Sequence, residues 1–365
     1  MKRLGISLYP EISNNLQKDK EYLDLGAKYG FTRLFVCLLS TSKRSRSEVV
    51  SMFYDLNAYA KEKGFEIIFD VSPQKFKELQ INYQDLTFFK ELMADGIRMD
   101  ESFSGREEAE MTYNPLNLKI ELNASVFDHL IDRILCFQPD REKLITCHNY
   151  YPLKYTGLGI KSFKEATQEM KTFQLSTAVF VTSQNIGCFG PCFNEGLCTL
   201  EKHRDLPLEL QVRHLKAMDI VDDIIIGNAY ASEDELRAMK EAADQPLTLN
   251  VEAGTSTALE EMILYDFNHT ARGDISEYMI RSTMPRIIYR DVSIPPHDTK
   301  KQVYRGDVII MNDSISRYKG EVHLVLQTME NDGRMNVVGS IPKKEWILLD
   351  EIRSWSHFML RKEGK

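Results

Sequence analysis

The sequence predicts an α/β protein: a (β/α)8 TIM barrel over residues 1–244, followed by a small, mainly β domain over residues 245–365. Eight short apolar segments rich in β-branched residues alternate with longer segments of helical period. A chain of 365 residues is too long for one ordinary core, but it suits a barrel of about 250 residues and a second domain of about 100. After residue 245 the rhythm changes to short strand-like runs separated by turns.

The barrel prediction depends on the number of strands, because eight parallel strands close a barrel without a free edge. The predicted strands are 4–9, 33–39, 66–70, 96–99, 119–123, 144–148, 177–182 and 223–227. The predicted helices between them are 17–29, 47–63, 73–78 with 84–93, 105–111, 126–136, 162–173, 207–217 and 232–241. A doubly wound open sheet is the alternative, but no glycine-rich phosphate-binding turn follows the first strand.

In the second domain, short apolar runs predict strands at 247–251, 287–289, 307–310, 321–326 and 337–339. Asn331-Asp332-Gly333 is a strong hairpin signal, because these residues tolerate positive φ. These runs predict a small, mainly β domain. The sequence contains no internal repeat, low-complexity tract or flexible linker, so the two domains are predicted to pack closely.

Composition and charge exclude several classes of function. The chain is 43% apolar and 27% charged, as in soluble globular proteins, and its net charge of −8 disfavours binding to nucleic acid. The apolar run at the start ends at Tyr9-Pro10, too short for a signal peptide, and no later segment could span a membrane. We therefore expect a cytoplasmic protein with neither a nucleic-acid nor a membrane partner; whether it forms a homodimer is left open.

The six cysteines do not have the spacing of a disulfide framework. Cys188, Cys192, Cys198 and His203 lie close in sequence, but their intervals match no usual zinc site. No metal and no cofactor are therefore predicted.

Catalytic groups of such barrels lie at the carboxyl ends of the strands, and three carboxylates occur there. Asp70 ends the third predicted strand, and Asp100 and Glu101 follow the fourth. Neighbouring strands lie about 4.8 Å apart, so these groups could act as an acid and a nucleophile or base, as glycoside hydrolysis requires. Each could instead cap a helix or form a turn, and the sequence does not decide between retention and inversion.

Other polar residues at the strand ends could bind a sugar through rings, amides and carboxylates. The candidates are Tyr9, Glu11, Asn123, His148, Asn149, Tyr150 and Asn228. A lone histidine is more often a satisfied core residue, but His148 begins a polar run after an apolar strand and is predicted to open into the barrel mouth.

The loop after the seventh strand, 183–205, is long and ends with Lys202, His203 and Arg204. Barrels often bind phosphate near strands seven and eight, so His203 and Arg204 are predicted to hold an anion; a solvated loop is the alternative. Helix 232–241 begins with acids that suit its dipole and repel an anion. Arg281, Arg290 and Arg305 of the second domain are alternative anion ligands.

Several of these segments together resemble one known family. Segments 4–10, 96–100, 148–152 with 156–158, and 197–204 are similar to the bacterial 6-phospho-N-acetylmuramidase family, although Cys198 stands where that family commonly has proline. The resemblance covers essentially the whole chain. It implies a (β/α)8 barrel followed by a cyclophilin-like β domain. It also implies a cytoplasmic enzyme that cleaves N-acetylmuramic acid 6-phosphate from N-acetylglucosamine during cell-wall recycling.

The leading hypothesis is hydrolysis of a 6-phosphorylated muramyl glycoside, with a phosphorylated amino-sugar disaccharide as the partner. One of Asp70, Asp100 and Glu101 would protonate the leaving oxygen, and another would attack the anomeric carbon or activate water. Two other hypotheses are another phosphosugar hydrolase or isomerase, and a non-catalytic sugar-phosphate sensor.

Overall fold

The computed structural model describes residues 2–39, 41, 44–297 and 300–364. The chain divides into two compact units. The first contains the residues up to 212 together with 220–243, and the second contains 213–219 and the residues from 244 onward.

The first unit contains a closed barrel of eight parallel strands in sequential order, which confirms the predicted fold class. The strand pair that closes the barrel joins the first strand to the eighth, with Arg3 opposite Asp223. The strands consist largely of buried apolar residues, as expected of a parallel sheet whose outer face is covered by helices. The strands are β1 Arg3–Leu8, β2 Arg33–Cys37, β3 Glu66–Val71, β4 Gly96–Met99, β5 Lys119–Asn123, β6 Leu144–Cys147, β7 Thr177–Val181 and β8 Asp223–Ile226.

The barrel helices lie close to their predicted positions, with three exceptions: α1 was not predicted, and α5 and α7 differ in their bounds. The helices are α1 Pro10–Ser13, α2 Leu16–Lys28, α3 Arg46–Glu62, α4 Pro73–Glu78, α5 Thr87–Glu91, α6 Arg106–Thr112, α7 Leu130–Cys136, α8 Ile160–Thr172, α9 Leu208–Met218 and α10 Glu233–Asp244. Helix α5 is shorter than predicted, because the Asn82 and Asp85 side chains accept backbone N–H groups two residues ahead and form turns. Helix α7 begins at Leu130 rather than at residue 126, because His129 has a left-handed backbone.

The second unit contains a seven-stranded, mostly antiparallel sheet and a separate two-stranded sheet. Its strands are β9 Thr248–Ala253, β10 His269–Thr270, β11 Met279–Ser282, β12 Gln302–Val303, β13 Asp307–Met311, β14 Val322–Val325, β15 Met329–Glu330, β16 Met335–Ser340 and β17 His357–Lys362. Its helices are α11 Ala258–Tyr265, α12 Met284–Ile288 and α13 Trp346–Leu349. Sequence analysis did not predict β11, β17 or α11.

Two predictions for the second unit are wrong. The predicted strand at 287–289 instead forms the last turn and the C-cap of helix α12. Pro285 lies in the first turn of this helix, a position that suits proline. The turn at Asn331-Asp332-Gly333 exists, but it joins β15 of the two-stranded sheet to β16 of the seven-stranded sheet, so it is no hairpin. The Asn331 side chain accepts the Gly333 and Met335 N–H groups and fixes this turn.

Within the described residues, no helix is both long enough and apolar enough to cross a membrane.

Candidate active site

Four polar side chains meet at the carboxyl ends of β3, β4 and β6. Arg98 lies at their centre: its Nη1 donates to Oδ1 of Asp70 at 2.5 Å and to Oδ1 of Asp100 at 3.0 Å. Its Nη2 donates to Oδ1 of Asn149. Asp70 and Arg98 are register partners on neighbouring strands, which brings their side chains together. We refer to Asp70, Arg98, Asp100 and Asn149 as the Arg98 cluster.

Asp70 is the buried carboxylate of the cluster, with 2% of the residue exposed. Burial raises its pKa to about 7; the positive charge of Arg98 opposes this rise, and the negative charge of Asp100 adds to it. A carboxyl group that titrates near neutral pH can both donate and accept a proton under physiological conditions. Asp70 therefore has the property required of a general acid.

Asp100 is the accessible carboxylate of the cluster, with 37% of its side chain exposed. The backbone holds it in place: the Asp100 N–H donates to the Val71 carbonyl, and Asn123 Nδ2 donates to the Asp100 carbonyl at 3.2 Å. Glu101 is exposed, and its side chain has no hydrogen bond or ion pair with the part of the chain that the structure describes. The structure thus joins Asp70 to Asp100 and leaves Glu101 outside the cluster.

Tyr150 packs beside the carboxylates at the centre of the barrel mouth. Its ring meets Phe35 and Phe180 edge-on, with ring centroids 6.0 and 5.2 Å away. Burial raises the pKa of its hydroxyl, and the nearby Asp70 charge adds to this rise. The half-buried Tyr150 therefore keeps its proton, and its hydroxyl lies within hydrogen-bonding reach of the Tyr9 hydroxyl.

Tyr9 and Glu11 follow β1, but they differ in exposure. Tyr9 is only 1% exposed, and its hydroxyl donates to the Gly227 carbonyl, which ties the end of β1 to the end of β8. The structure thus makes Tyr9 part of the wall of the barrel. Glu11 lies in α1 and is partly exposed, although its Oε1 is buried.

His148 does not open into the barrel mouth as predicted. It is fully buried, and its ring packs against Phe163 of α8 with centroids 4.8 Å apart. Its two ring nitrogens contact Ser125 Oγ at 3.2 Å and Thr167 Oγ1 at 2.9 Å. Ser125 Oγ also accepts the Asn149 N–H. We therefore assign His148 a positioning role, through Ser125, for the Asn149 of the Arg98 cluster.

In the His148→Gln variant, the free energy of unfolding is expected to depend less on pH in the acid range than in the wild type. Burial lowers the pKa of His148 from 6.5 to about 3, so between these values the unfolded chain binds a proton that the folded chain does not. The free energy of unfolding of the wild type should fall as the pH falls through this range, by up to about 1.4 kcal/mol per pH unit from this residue. Urea titrations between about pH 7 and pH 5 measure the slope. Identical slopes in wild type and variant would show that the pKa of His148 is not lowered in the folded protein.

The long loop between β7 and α9 is held by one side chain that follows β8 and by one from α10. Asn228 Oδ1 accepts the Ser183 N–H at 2.8 Å, and its Nδ2 donates to the Ser183 carbonyl at 3.1 Å and to Cys188 Sγ at 2.9 Å. Ser183 Oγ donates to Glu235 Oε2 at 2.7 Å. Asn228, predicted to bind substrate, is 3% exposed and holds the loop, and it also lines the cavity against this loop.

Arg204 is not free to hold a phosphate as predicted. Its Nε and Nη2 donate to the two carboxylate oxygens of Glu201, each at 2.7 Å. Its Nη1 donates to the backbone carbonyls of Tyr151, Glu195 and Gly196. Both Arg204 and His203 are buried, whereas the adjacent Lys202 is exposed. Arg204 therefore fastens this loop to the loop after β6.

A cavity of about 210 Å³ lies against the same loop. Its lining includes the amides Gln184 and Asn185 and the aromatic ring of Phe193. Its charged lining residues are the exposed Lys154, the buried Arg204, and the carboxylates Glu195 and Asp205. Within the described residues the Lys154 ammonium makes no ion pair. Rings and amides suit a sugar, and a lysine without a partner suits an anionic substituent. The cavity is therefore a second candidate for ligand contact.

Comparisons with known proteins agree with this architecture. Residues 4–241 match the N-terminal domain of the 6-phospho-N-acetylmuramidase family, and residues 247–361 match its C-terminal domain. The chain belongs to this 6-phospho-N-acetylmuramidase family. The resemblance stated from the sequence is thereby confirmed, and the name of the family is that of a glycosidase. No curated protein matches the chain significantly.

Two solved structures are similar to this family member over nearly their whole length. An uncharacterized B. cereus protein is 42% identical, with a TM-score of 0.88, and the match covers 99% of each chain. A conserved Enterococcus faecalis protein with an unknown function is 28% identical, with a TM-score of 0.71, and the match covers 99% of this chain and 97% of that one.

Sequence analysis missed Arg98, the residue at the centre of the cluster in this 6-phospho-N-acetylmuramidase family member. The available signal was a lone charge inside the short buried strand Gly96–Met99, since a buried arginine requires a buried counter-charge. A second buried arginine, Arg33, pairs with Glu121 and Asp223 inside the same barrel. The barrel interior thus contains two groups of ion pairs, one around Arg98 and one around Arg33. Among the described residues of these two groups, Asp100 of the Arg98 cluster is the accessible carboxylate.

Proposed function

We propose that this protein hydrolyses the glycosidic bond between N-acetylmuramic acid 6-phosphate and N-acetylglucosamine, as a cytoplasmic step of cell-wall recycling. The observation that carries the proposal is the pair of carboxylates, one buried and one accessible, that share Arg98 at the carboxyl edge of the barrel. Membership of the 6-phospho-N-acetylmuramidase family supports the choice of substrate.

The roles of the two carboxylates follow from their surroundings. Asp70, with its raised pKa, would donate its proton to the glycosidic oxygen as the bond to the leaving sugar breaks. Asp100, accessible and in contact with Arg98, would attack the anomeric carbon or stabilise its positive charge. Water would then attack that carbon, any bond between the carbon and Asp100 would break, and the water would give a proton to Asp70, which restores the enzyme.

The distances favour retention of the anomeric configuration. Oδ1 of Asp70 and Oδ1 of Asp100 both contact Arg98 Nη1, at 2.5 and 3.0 Å, so they cannot be further apart than the sum of these contacts. This upper limit of about 5.5 Å lies below the roughly 6.5 to 9.5 Å between the carboxyl groups of inverting glycosidases, and it does not exceed the about 5 to 5.5 Å of retaining ones.

The remaining polar groups would orient the substrate. Asn149 and Tyr150 face the carboxylates and suit the hydroxyl groups of the sugar bound there. In place of Arg204, Lys154 in the cavity beside the loop after β7 would attract the phosphate, near the position where barrels often bind it.

The purified protein is expected to release N-acetylglucosamine from the 6-phosphorylated disaccharide and to act far more slowly on the unphosphorylated one. Chromatography of the products measures the release, and proton NMR of the first-formed anomer reports the stereochemistry. Equal rates on both disaccharides would refute the phosphate preference. Absence of cleavage, with saturable binding of the phosphorylated disaccharide, would favour a sensor instead of an enzyme.

A further inference from the structure

Three arginines of the second unit surround a single tyrosine ring. The guanidinium carbons of Arg281, Arg286 and Arg317 lie 5.7, 5.5 and 6.0 Å from the centre of the Tyr318 ring. Arg281 lies on β11, the edge strand of the seven-stranded sheet, and Arg286 lies on α12. We call Arg281, Arg286, Arg317 and Tyr318 the arginine clamp. Arg281 is one of the anion ligands that the sequence suggested as alternatives.

A buried carboxylate fixes two of these arginines. Glu321 is fully buried; its Oε1 accepts from Arg281 Nε at 2.6 Å, and its Oε2 accepts from Arg286 Nη1 at 2.9 Å. Burial opposes its charge, but hydrogen bonds from His323 and Arg281 outweigh burial and lower the pKa of Glu321. The carboxylate is therefore ionised and holds the two guanidinium groups side by side.

The charges of the clamp do not balance. Arg317 has no ion pair within the described part of the chain, and Arg281 and Arg286 have only Glu321 there. The remaining nitrogens of Arg281 and Arg286 have no acceptor among the described residues. Three guanidinium charges thus face one carboxylate in a chain whose net charge is −8. Such a local excess of positive charge with vacant donors favours an anionic ligand.

We propose that the arginine clamp is a binding site for a phosphomonoester. A phosphate group carries close to two negative charges and three acceptor oxygens, which match the two surplus charges and the vacant donors. The clamp is small and the rest of the chain is acidic, so a polyanion such as nucleic acid would be repelled elsewhere on the surface. The other two arginines suggested by the sequence do not share this arrangement, because Arg290 pairs with Asp291 and Arg305 with Asp350.

The phosphate could be free inorganic phosphate or the phosphate of a sugar, and the choice of the sugar probe rests on the proposed function. Isothermal titration of the full chain at low salt, with inorganic phosphate and with N-acetylmuramic acid 6-phosphate, separates these sources. The matched control is Arg290→Gln, an exposed arginine close in sequence to α12. We expect saturable binding of at least one probe in the wild type and the control, and at least tenfold weaker binding at this site in Arg286→Gln.

Arg286→Gln removes one partner of the buried Glu321 and could impair folding. A second variant that leaves the partners of Glu321 intact is therefore needed. Arg317→Gln removes a clamp charge that makes no ion pair with Glu321, and it should keep the fold and still weaken binding severalfold. Unchanged binding in folded Arg286→Gln or Arg317→Gln, or no saturable binding of either probe, would overturn the proposal. Binding does not depend on turnover, so this failure is distinct from failure of the proposed hydrolysis.

Discussion

Replacing Asp70 by asparagine is expected to lower kcat for the phosphorylated disaccharide by about 10²- to 10⁴-fold, the contribution typical of a general acid. Asparagine keeps the shape of the side chain and its acceptor oxygen for Arg98 but carries no transferable proton. The loss in kcat/KM should be much smaller for an aryl glycoside of N-acetylmuramic acid 6-phosphate, because a good leaving group needs little protonation in the first step. Initial rates on both substrates measure the difference.

The pH profile provides an independent readout of the same residue. Because the pKa of Asp70 is raised to about 7, its acid form is lost as the pH rises through that value, and wild-type activity should fall on the alkaline side. The Asp70→Asn variant should lack this decline.

The matched control is Glu101→Gln, which removes an exposed carboxylate that lies outside the Arg98 cluster. We expect it to keep most of the wild-type activity. If Glu101→Gln loses activity on the disaccharide and retains it on the aryl glycoside, while Asp70→Asn does not, then Glu101 is the acid and the assignment to Asp70 is wrong.

Replacing Arg98 by methionine is expected to lower the free energy of unfolding by about 3 to 5 kcal/mol near pH 8, since breaking a buried ion pair leaves an uncompensated charge. The arginine is 2% exposed, and it loses contacts with Asp70, Asp100 and Asn149 at once. Activity should also fall sharply, because Asp100 and Asn149 lose the group that positions them. Urea unfolding and initial rates measure the two effects.

The pH dependence distinguishes a lost charge pair from lost packing. Without Arg98, Asp70 can avoid a buried charge by binding a proton, so the destabilisation should shrink as the pH is lowered toward about 5. The double variant Arg98→Met with Asp70→Asn should recover part of the stability at pH 8, because both buried charges are then absent. If Arg98→Met lowers the free energy of unfolding equally at both pH values, and the double variant recovers none of the loss, then lost packing and not a lost charge pair is the cause.

Arg106→Met is the surface control for this experiment. Arg106 is paired with Glu110 one helical turn away and is largely exposed. Its replacement should change stability by no more than about 0.5 kcal/mol.

The barrel could be predicted from the sequence because its signals are local. Each strand is a short apolar segment, and each helix shows the helical period of apolar residues. Eight such strand–helix units are the number that closes a barrel. Errors occurred where a side chain competes with the helix for backbone hydrogen bonds, as at Asn82 and Asp85 before α5. In the second unit, short segments such as 287–289 carry too few residues for their period to show whether they form strand or helix.

The sequence by itself determined that polar residues gather at the strand ends of a (β/α)8 barrel, with Asp70, Asp100 and Glu101 among them. Only the tertiary structure decided which of those residues are free to act. Consecutive residues near the end of a strand face different surroundings, so His148 packs under α8 while Asn149 contacts Arg98. Arg204 is occupied by carbonyls up to 53 residues away in sequence, and Arg98 by a carboxylate on the neighbouring strand. Contacts between such distant residues leave no local pattern in the chain, whereas strands and helices do.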